Sequence, residues 1–298
     1  MSSIDSINQR ERQPFVSVLV PHYNDLAGLE QCLESLAAQT YAPEDFEVIV
    51  ADNDTPGGVD ALAARLPGVN FLTVRERGAA IARNKAMSAA RGEIFAFIDA
   101  DCVADPRWIE NGVVSMASAD YAGGHIEVTY IETGRPSATE AFEKVFGFRQ
   151  AWYLKRKRFS ATANLFVRRG VAEAIGPFRN DIAEDLDWGN RADSLGFRLF
   201  FNAKQIVNHP ARKDWNALVA KWDRLTKERW SGFGQPGLIR CAMWTGLAAA
   251  TALSAGPHMW TVLTSRKLDR LQDKVAAIGV LIRIRLWRAR RMLSLLTA

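Results

Sequence analysis

Cysteine is scarce in this chain, and what there is forms no pairing pattern. Cys32, Cys102 and Cys241 are odd in number, far apart and contain no Cys-x-x-Cys. A disulfide framework and a zinc site are thereby excluded, and a reducing cytosol fits. The opening stretch, Met1 to Pro14, is polar and lacks an apolar core, so no secretory signal is expected. No internal repeat or low-complexity stretch is evident. A spanning helix wants about 20 apolar residues. Cys241 to Ala255 supplies only 15 uncharged residues before Gly256-Pro257, so a buried hairpin or an in-plane membrane segment is expected rather than one clean span.

What is present is an ordinary globular composition, 48% hydrophobic and 24% charged over 298 residues. That length accommodates one large α/β domain with an appendage. The net charge of +5 is unevenly spread: Phe233 to Ala298 holds ten Lys/Arg against two Asp/Glu, net +8, and the remainder is net −3. A mildly acidic body with a strongly basic tail points to a tail that meets an anionic surface, membrane lipid or nucleic acid.

Several short apolar runs end in carboxylates or turn residues. Val16 to Val20 reads as a buried strand closed by Pro21, with His22-Tyr23-Asn24-Asp25 as a loop and Asp25 as the N-cap of a helix over Leu26 to Gln39. Phe46 to Ala51 is a second strand ending at Asp52, and a third runs over about Asn70 to Val74. Gly78 opens a helix, Ala79 to Arg91, carrying Arg83 and Asn84. Ile94 to Ile98 is an apolar run that stops at Asp99-Ala100-Asp101. This alternation predicts a mainly parallel sheet in a doubly wound α/β fold, where strand ends face the ligand crevice. Two carboxylates there can grip a divalent cation; taken alone, the tripeptide favours a solvated acidic turn. Beyond it, Gly123 to Tyr130 predicts a strand, Ser137 to Arg158 one helix, Ile182 to Leu195 another, and Phe197–Phe201 and Val207–His209 further extended pieces.

The ordered set Val18–Asn24, Asp52, Gly78 with Arg83-Asn84, Asp99-Ala100-Asp101, Asn164-Leu165, Gly176-Pro177-Phe178, Glu184-Asp185 and His209 resembles the family 2 glycosyltransferases. The likeness spans roughly Pro14 to Gly232. These are inverting enzymes of the GT-A (nucleotide-diphospho-sugar transferase, Rossmann-like) fold. The resemblance implies a GT-A domain over residues 14–232, between a polar tail (1–13) and a basic helical region (233–298) that is membrane-associated. It implies that Pro21, Tyr23, Asp52, Arg83, Asn84 and Asp99 bind the nucleotide sugar, Tyr23 by stacking on the base. Asp99, Asp101 and His209 would hold Mn2+ or Mg2+. Asp185 would be the general base, and Glu184 is left to helix N-terminal acidity.

Asp214 to Trp230 predicts an amphipathic helix ending Thr226-Lys227-Glu228-Arg229-Trp230, similar to the Gln-x-x-Arg-Trp signature of processive members but with Thr226 in place of Gln. Trp188, Arg229 and Trp230 are placed on the acceptor side. Leu268 to Leu296 predicts a basic helix suited to anionic lipid. The resemblance implies a UDP-sugar donor, the family's commonest, a glycan or lipid-linked acceptor in surface-polysaccharide assembly, and a peripheral position on the cytoplasmic face of the cell membrane. Nothing resembles a nucleic-acid module. Two rivals are a sugar-phosphate nucleotidyltransferase and a non-catalytic membrane-associated partner protein. The first wants a Gly-rich basic loop after the first strand, and Pro21 to Asp25 has neither glycine nor Lys/Arg. The second is opposed by intact Asp99, Asp101 and Asp185.

Overall fold

The computed structural model describes residues 13–130, 134–180, 182–234 and 237–297; the predicted polar tail, apart from Gln13, lies outside them. In chain order the elements are β1 (Val16–His22), α1 (Leu26–Ala37), β2 (Phe46–Asp52), α2 (Asp60–Arg65), β3 (Val69–Thr73), α3 (Ala79–Ala89), β4 (Ile94–Phe97), β5 (Val103–Ala104), α4 (Trp108–Ser115) and β6 (Tyr121–Thr129). There follow α5 (Ala138–Phe146), α6 (Gln150–Lys157), β7 (Leu165–Arg168), α7 (Arg169–Ile175), α8 (Glu184–Ser194), β8 (Leu199–Pro210), α9 (Trp215–Ser231), α10 (Leu238–Leu253), α11 (Ala255–Leu263) and α12 (Leu271–Ser294). The chain packs as two units, Met1–Ile126 with Gln150–Asn180 and Glu184–Val207, and Glu127–Arg149 with Asp181–Ala183 and Asn208–Ala298.

The sheet runs β3-β2-β1-β4-β7-β6-β8-β5. β1 pairs in parallel with both β2 and β4, and β2 with β3, while β7 is antiparallel to β4 and to β6. The parallel strands are nearly continuous apolar runs because helices cover both faces. Five of the seven β1 residues, Val16–Val20, are buried in a row. The chain turns one way from β1 into β2 and β3 and the other way into β4, so the crevice of an open α/β sheet falls at the carboxyl ends of these strands. The β1–β2 register puts His22 opposite Asp52 there. It is a mixed, mostly parallel sheet flanked by helices, with a C-terminal helical region.

Within the first unit, one core cluster unites Leu19, Phe95, Phe97, Tyr121, Phe178 and Trp188. Buried Asn164 is a polar crosslink: its amide donates to the carbonyls of His125 (2.8 Å) and Gln205 (3.0 Å) and accepts from Trp108 Nε1 (2.9 Å) and Gln205 Nε2 (2.7 Å). These four hydrogen bonds tie α4, β6 and β8 to the turn before β7.

The second unit has its own apolar centre, in which α5, α9, α11 and α12 bring together Phe142, Leu218, Val262, Ala277, Leu281 and Ile284. Its α5 starts with a capping box, Ser137 accepting from Glu140 N and Glu140 Oε2 from Ser137 N. Buried Glu143 of α5 is met by Lys221 (2.9 Å) and Arg212 (3.2 Å). Burial alone would raise its carboxyl; the two cations overcome that and hold it low.

Three local expectations are corrected. The single helix over Ser137–Arg158 is two, α5 and α6, with Gly147 capping the first. The two extended pieces near Phe197 and Val207 are one strand, β8. Gly256-Pro257 makes no hairpin: Leu238–Leu263 is one helical run, long and apolar enough by length and composition to cross a membrane. Pro257 sits in the first turn of α11, where an N–H has no intrahelical partner to lose.

Candidate active site

The carboxylates of the first unit gather at the strand ends. β4 stops at Phe97, and the chain turns through Asp99, Ala100 and Asp101, with Cys102 N donating to Asp99 O at 3.0 Å. Both aspartates are half-buried. Cys102 lies 3.8 Å from Asp101 Oδ1, and Cys32 Sγ lies 3.8 Å from Asp99 O. Burial, and then the charges of Asp101 and Asp99, push both thiols up, so they stay protonated.

Arg83 organises the centre. It projects from α3 and is almost wholly buried, donating from one nitrogen to Asp99 Oδ1 (3.0 Å) and from another to Glu184 Oε1 (2.9 Å). Burial would lower its pKa, but the charges of Asp99, Asp185 and Glu184 outweigh that and raise it. Its position depends on the entry to α3. Gly78 has φ +140, and a Cβ there would come within 2.3 Å of Asn180 Oδ1. Its N–H donates to Asn53 Oδ1 at 2.7 Å. Only glycine reconciles that backbone with that approach.

Asp185 lies in the first turn of α8, one residue beyond the Glu184 that Arg83 holds. Thr162 Oγ1 donates to its Oδ1 at 2.9 Å. Burial pushes its carboxyl up to about 6, helped by the charges of Glu184 and Asp99 and opposed by Arg83 and the Thr162 hydrogen bond. A carboxylate poised there is ionised at neutral pH and more basic than an exposed one.

At the end of β2, buried Asp52 accepts from His22 Nδ1 (2.8 Å), Thr55 Oγ1 (2.6 Å) and Thr55 N (3.1 Å). Pro21 is half-buried on β1. Tyr23 is 47% exposed, with the Arg77 guanidinium 5.7 Å from its ring centroid. An open aromatic face beside a fixed strand-end carboxylate suits a planar base with N–H groups.

Other expected residues are employed elsewhere. Asn84 spends both amide atoms on the Phe178 backbone (2.8 and 2.9 Å), which fixes the turn before α8. Trp188, placed on the acceptor side from sequence, is a core residue 2% exposed, stacked on Phe178 and bonded through Nε1 to Gly176 O; it has no surface to offer an acceptor. Trp230, in the second unit, packs 5.0 Å from Trp244 with Arg240 over its ring at 3.8 Å, while Arg229 is exposed. His209, also in that unit, is buried near the end of β8, with Nδ1 2.7 Å from Pro210 O and its ring against Phe148.

Sequence reasoning missed Glu184, His22 and Thr162. The β1–β2 register would have found His22, since it faces Asp52 across the ladder. No local signal marks Thr162, which meets Asp185 across 23 positions.

The model of glycosyl transferase family 2 matches residues 17–176. The glycosyltransferase AglE of Haloferax volcanii is 33% identical over 223 residues, 72% of each protein. Among solved structures, the mannosyltransferase PcManGT from Pyrobaculum calidifontis, in complex with GDP-Man and Mn2+, superposes with a TM-score of 0.61 at 17% identity, over 95% of this chain and 86% of that one. S. aureus TarS gives 0.51 at 16% identity, over 93% of this chain and 53% of that one. The fold is thus that of the GT-A glycosyltransferases, and the chain is a glycosyltransferase belonging to family 2.

Proposed function

We propose that the chain moves a sugar from a nucleoside-diphosphate donor to a hydroxyl acceptor with inversion, in a divalent-metal-dependent reaction with Asp185 as general base. The observation that carries this reading is the Arg83 tie. One buried guanidinium joins Asp99, at the strand end, to Glu184, the neighbour of Asp185. A base candidate thereby shares an electrostatic centre with the carboxylates that follow β4.

In this mechanism the Asp185 carboxylate accepts the acceptor hydroxyl's proton as that oxygen bonds to the anomeric carbon. The bond from that carbon to the diphosphate oxygen breaks, and the nucleoside diphosphate leaves with the electron pair. A single base on the face opposite the leaving group gives inversion. Tyr23 stacks on the base and Asp52 accepts from it, its orientation fixed by His22 and Thr55. Arg83 keeps Asp99 and Glu184 in place and tempers the basicity of Asp185.

The donor set fits a hard divalent cation. Asp99 and Asp101 offer carboxylate oxygens. Asp101 with Asp99, and His209 on the sequence reading, would hold Mn2+ or Mg2+. When bound, such an ion supplies Lewis-acid neutralisation of the departing diphosphate. The solved neighbour with GDP-Man and Mn2+ supports a nucleotide sugar and a metal here, and UDP or GDP donors are separate outcomes of the test. A lipid-linked acceptor at the cytoplasmic membrane face accords with the basic C-terminal region.

The test incubates purified protein with a panel of nucleotide sugars and lipid-linked or glycan acceptors, with Mn2+ or with EDTA, and measures free nucleoside diphosphate. Release from one donor, abolished by EDTA and in Asp185→Asn and Asp101→Ala, is expected. Turnover that survives both EDTA and Asp185→Asn would sink the mechanism. Pyrophosphate release from a nucleoside triphosphate and a sugar phosphate would instead reveal a nucleotidyltransferase.

A further inference from the structure

The second unit carries a long helical face without charge. From Cys241 to Thr264 the sequence holds no Asp, Glu, Lys or Arg, and the stretch is helical through α10 and α11. Its outward residues recur at helical spacing: Leu238, Ile239, Met243 and Leu253 on α10, then Trp260 and Leu263 on α11. Leu238 is 89%, Leu253 78% and Trp260 70% exposed. The opposite side is fastened down. Trp244 Nε1 donates to Met292 O of α12 at 2.7 Å, and Trp244 and Ala248 pack with Met292 and Leu295. Val262 joins the cluster of Phe142, Leu281 and Ile284.

About 25–35% of a soluble protein's surface positions carry charge, so a face this long with none is not built for water. A core helix passes the same test of length and composition, but only 11% of this apolar stretch is buried. Nor is the run suited to crossing a bilayer. It is bonded along one side to α12, which carries Arg283, Arg285, Arg288, Arg290 and Arg291, and a crossing pose would draw those cations into hydrocarbon. Charge selects the occupant of the bare side. Phe233 to Ala298 is net +8, so a second copy would set the same charge against it, whereas an anionic surface is attracted. Arg266, Lys267 and Arg270, all exposed, follow directly on the run.

We infer that the outward face of α10 and α11 docks in the plane of an anionic bilayer. Ile239, Met243 and Leu253 enter the acyl boundary, the amphipathic Trp260 ring sits at headgroup level, and Arg266, Lys267 and Arg270 meet lipid phosphates. This reverses the roles expected from the sequence, in which the basic helix, now α12, lies on lipid. Arg283 and Arg288 of α12 instead lie over the Trp215 and Trp222 rings, 3.8 and 3.7 Å from their centroids, and the uncharged run beside it is the lipid-facing element. Docking does not depend on the transferase mechanism, and its test reads no turnover.

Full-length protein is floated with phosphatidylcholine vesicles, with and without phosphatidylglycerol. Leu253→Ser and Trp260→Ser are each expected to lower partition onto both kinds of vesicle about tenfold. Lys267→Gln is expected to lower it about fivefold on anionic vesicles alone. Val114→Ser removes an apolar side chain that is 64% exposed in the first unit, and it is expected to change partition less than about twofold. All four positions are exposed, so each variant should keep an unfolding temperature within about 2 °C of native. Fluorescence lost in Trp260→Phe reports on Trp260, and bromine near the headgroup end of the acyl chains should quench it more than bromine at the chain ends. Stronger quenching by the chain-end bromines would overturn the in-plane pose. Native protein that floats with neither vesicle, or losses as large in Val114→Ser as in Leu253→Ser, would overturn docking altogether. A dimer in light scattering that Leu253→Ser dissociates, with no vesicle binding, would give the face to a second copy instead.

Discussion

Asp185→Asn should make the protein more stable at neutral pH while abolishing transfer. Burial raises the Asp185 carboxyl from 3.8 to about 6. Holding it ionised at pH 7 therefore costs the fold about 3 kcal/mol at full strength, or roughly half that after partial solvent screening. Asparagine has the same shape and no charge, and it can still accept from Thr162 through Oδ1. Arg83 keeps its direct bonds to Asp99 and Glu184, so no buried cation is orphaned. The sign follows from proton linkage. Between about pH 4 and 6 the native state carries more protons than the unfolded chain, so stability falls as pH rises through that window. The gain of the variant should thus be complete above about pH 6 and vanish below about pH 4. In EDTA, urea unfolding at neutral pH should show a gain of about 1–3 kcal/mol, or an unfolding temperature raised by roughly 2–6 °C. A variant less stable than the native protein at neutral pH, or a gain independent of pH, would refute the reasoning.

Four other outcomes follow from the same contacts. With Asp185 as base, kcat/KM should rise with pH through about 6 and level off above it; a profile flat down to pH 4.5 would remove Asp185 from that role. Thr162→Val deletes the hydrogen bond that lowers the Asp185 pKa, so the same limb should move to higher pH with little change in its plateau. Arg83→Met should cost about 3–5 kcal/mol in urea unfolding, because it strands Asp99 and Glu184 without their cation; a neutral effect would mean the tie is solvated. Gly124→Ala would drive a Cβ to 2.1 Å from the Gln205 carbonyl and 2.4 Å from Asn164 Nδ2. It should therefore destabilise by about 1–3 kcal/mol or more, read as a lowered urea midpoint.

The alternation of short apolar runs and helices was legible because burial on both faces of a parallel sheet leaves a local trace: β1, β2 and β4 read as strands from their own residues. Strand-end position likewise singled out Asp52, Asp99 and Asp101, since the end of an apolar run is a local event. What stayed hidden depends on partners distant in sequence. Arg83 and Glu184 are 101 residues apart, and each alone reads as an ordinary helix residue. Trp188, placed on the acceptor side from sequence, instead packs against Phe178 and Tyr121 from other elements. Pro257 misled because a proline's effect depends on where a helix begins, and α11 begins two residues before it. The arginines of α12 show the limit most sharply. Leu286 and Leu293, apolar by sequence, are exposed, while Arg283 and Arg288 pack on the Trp215 and Trp222 rings; periodicity names a face and never a neighbour. Only the packing of α12 on α9 reveals that Arg288 covers Trp222.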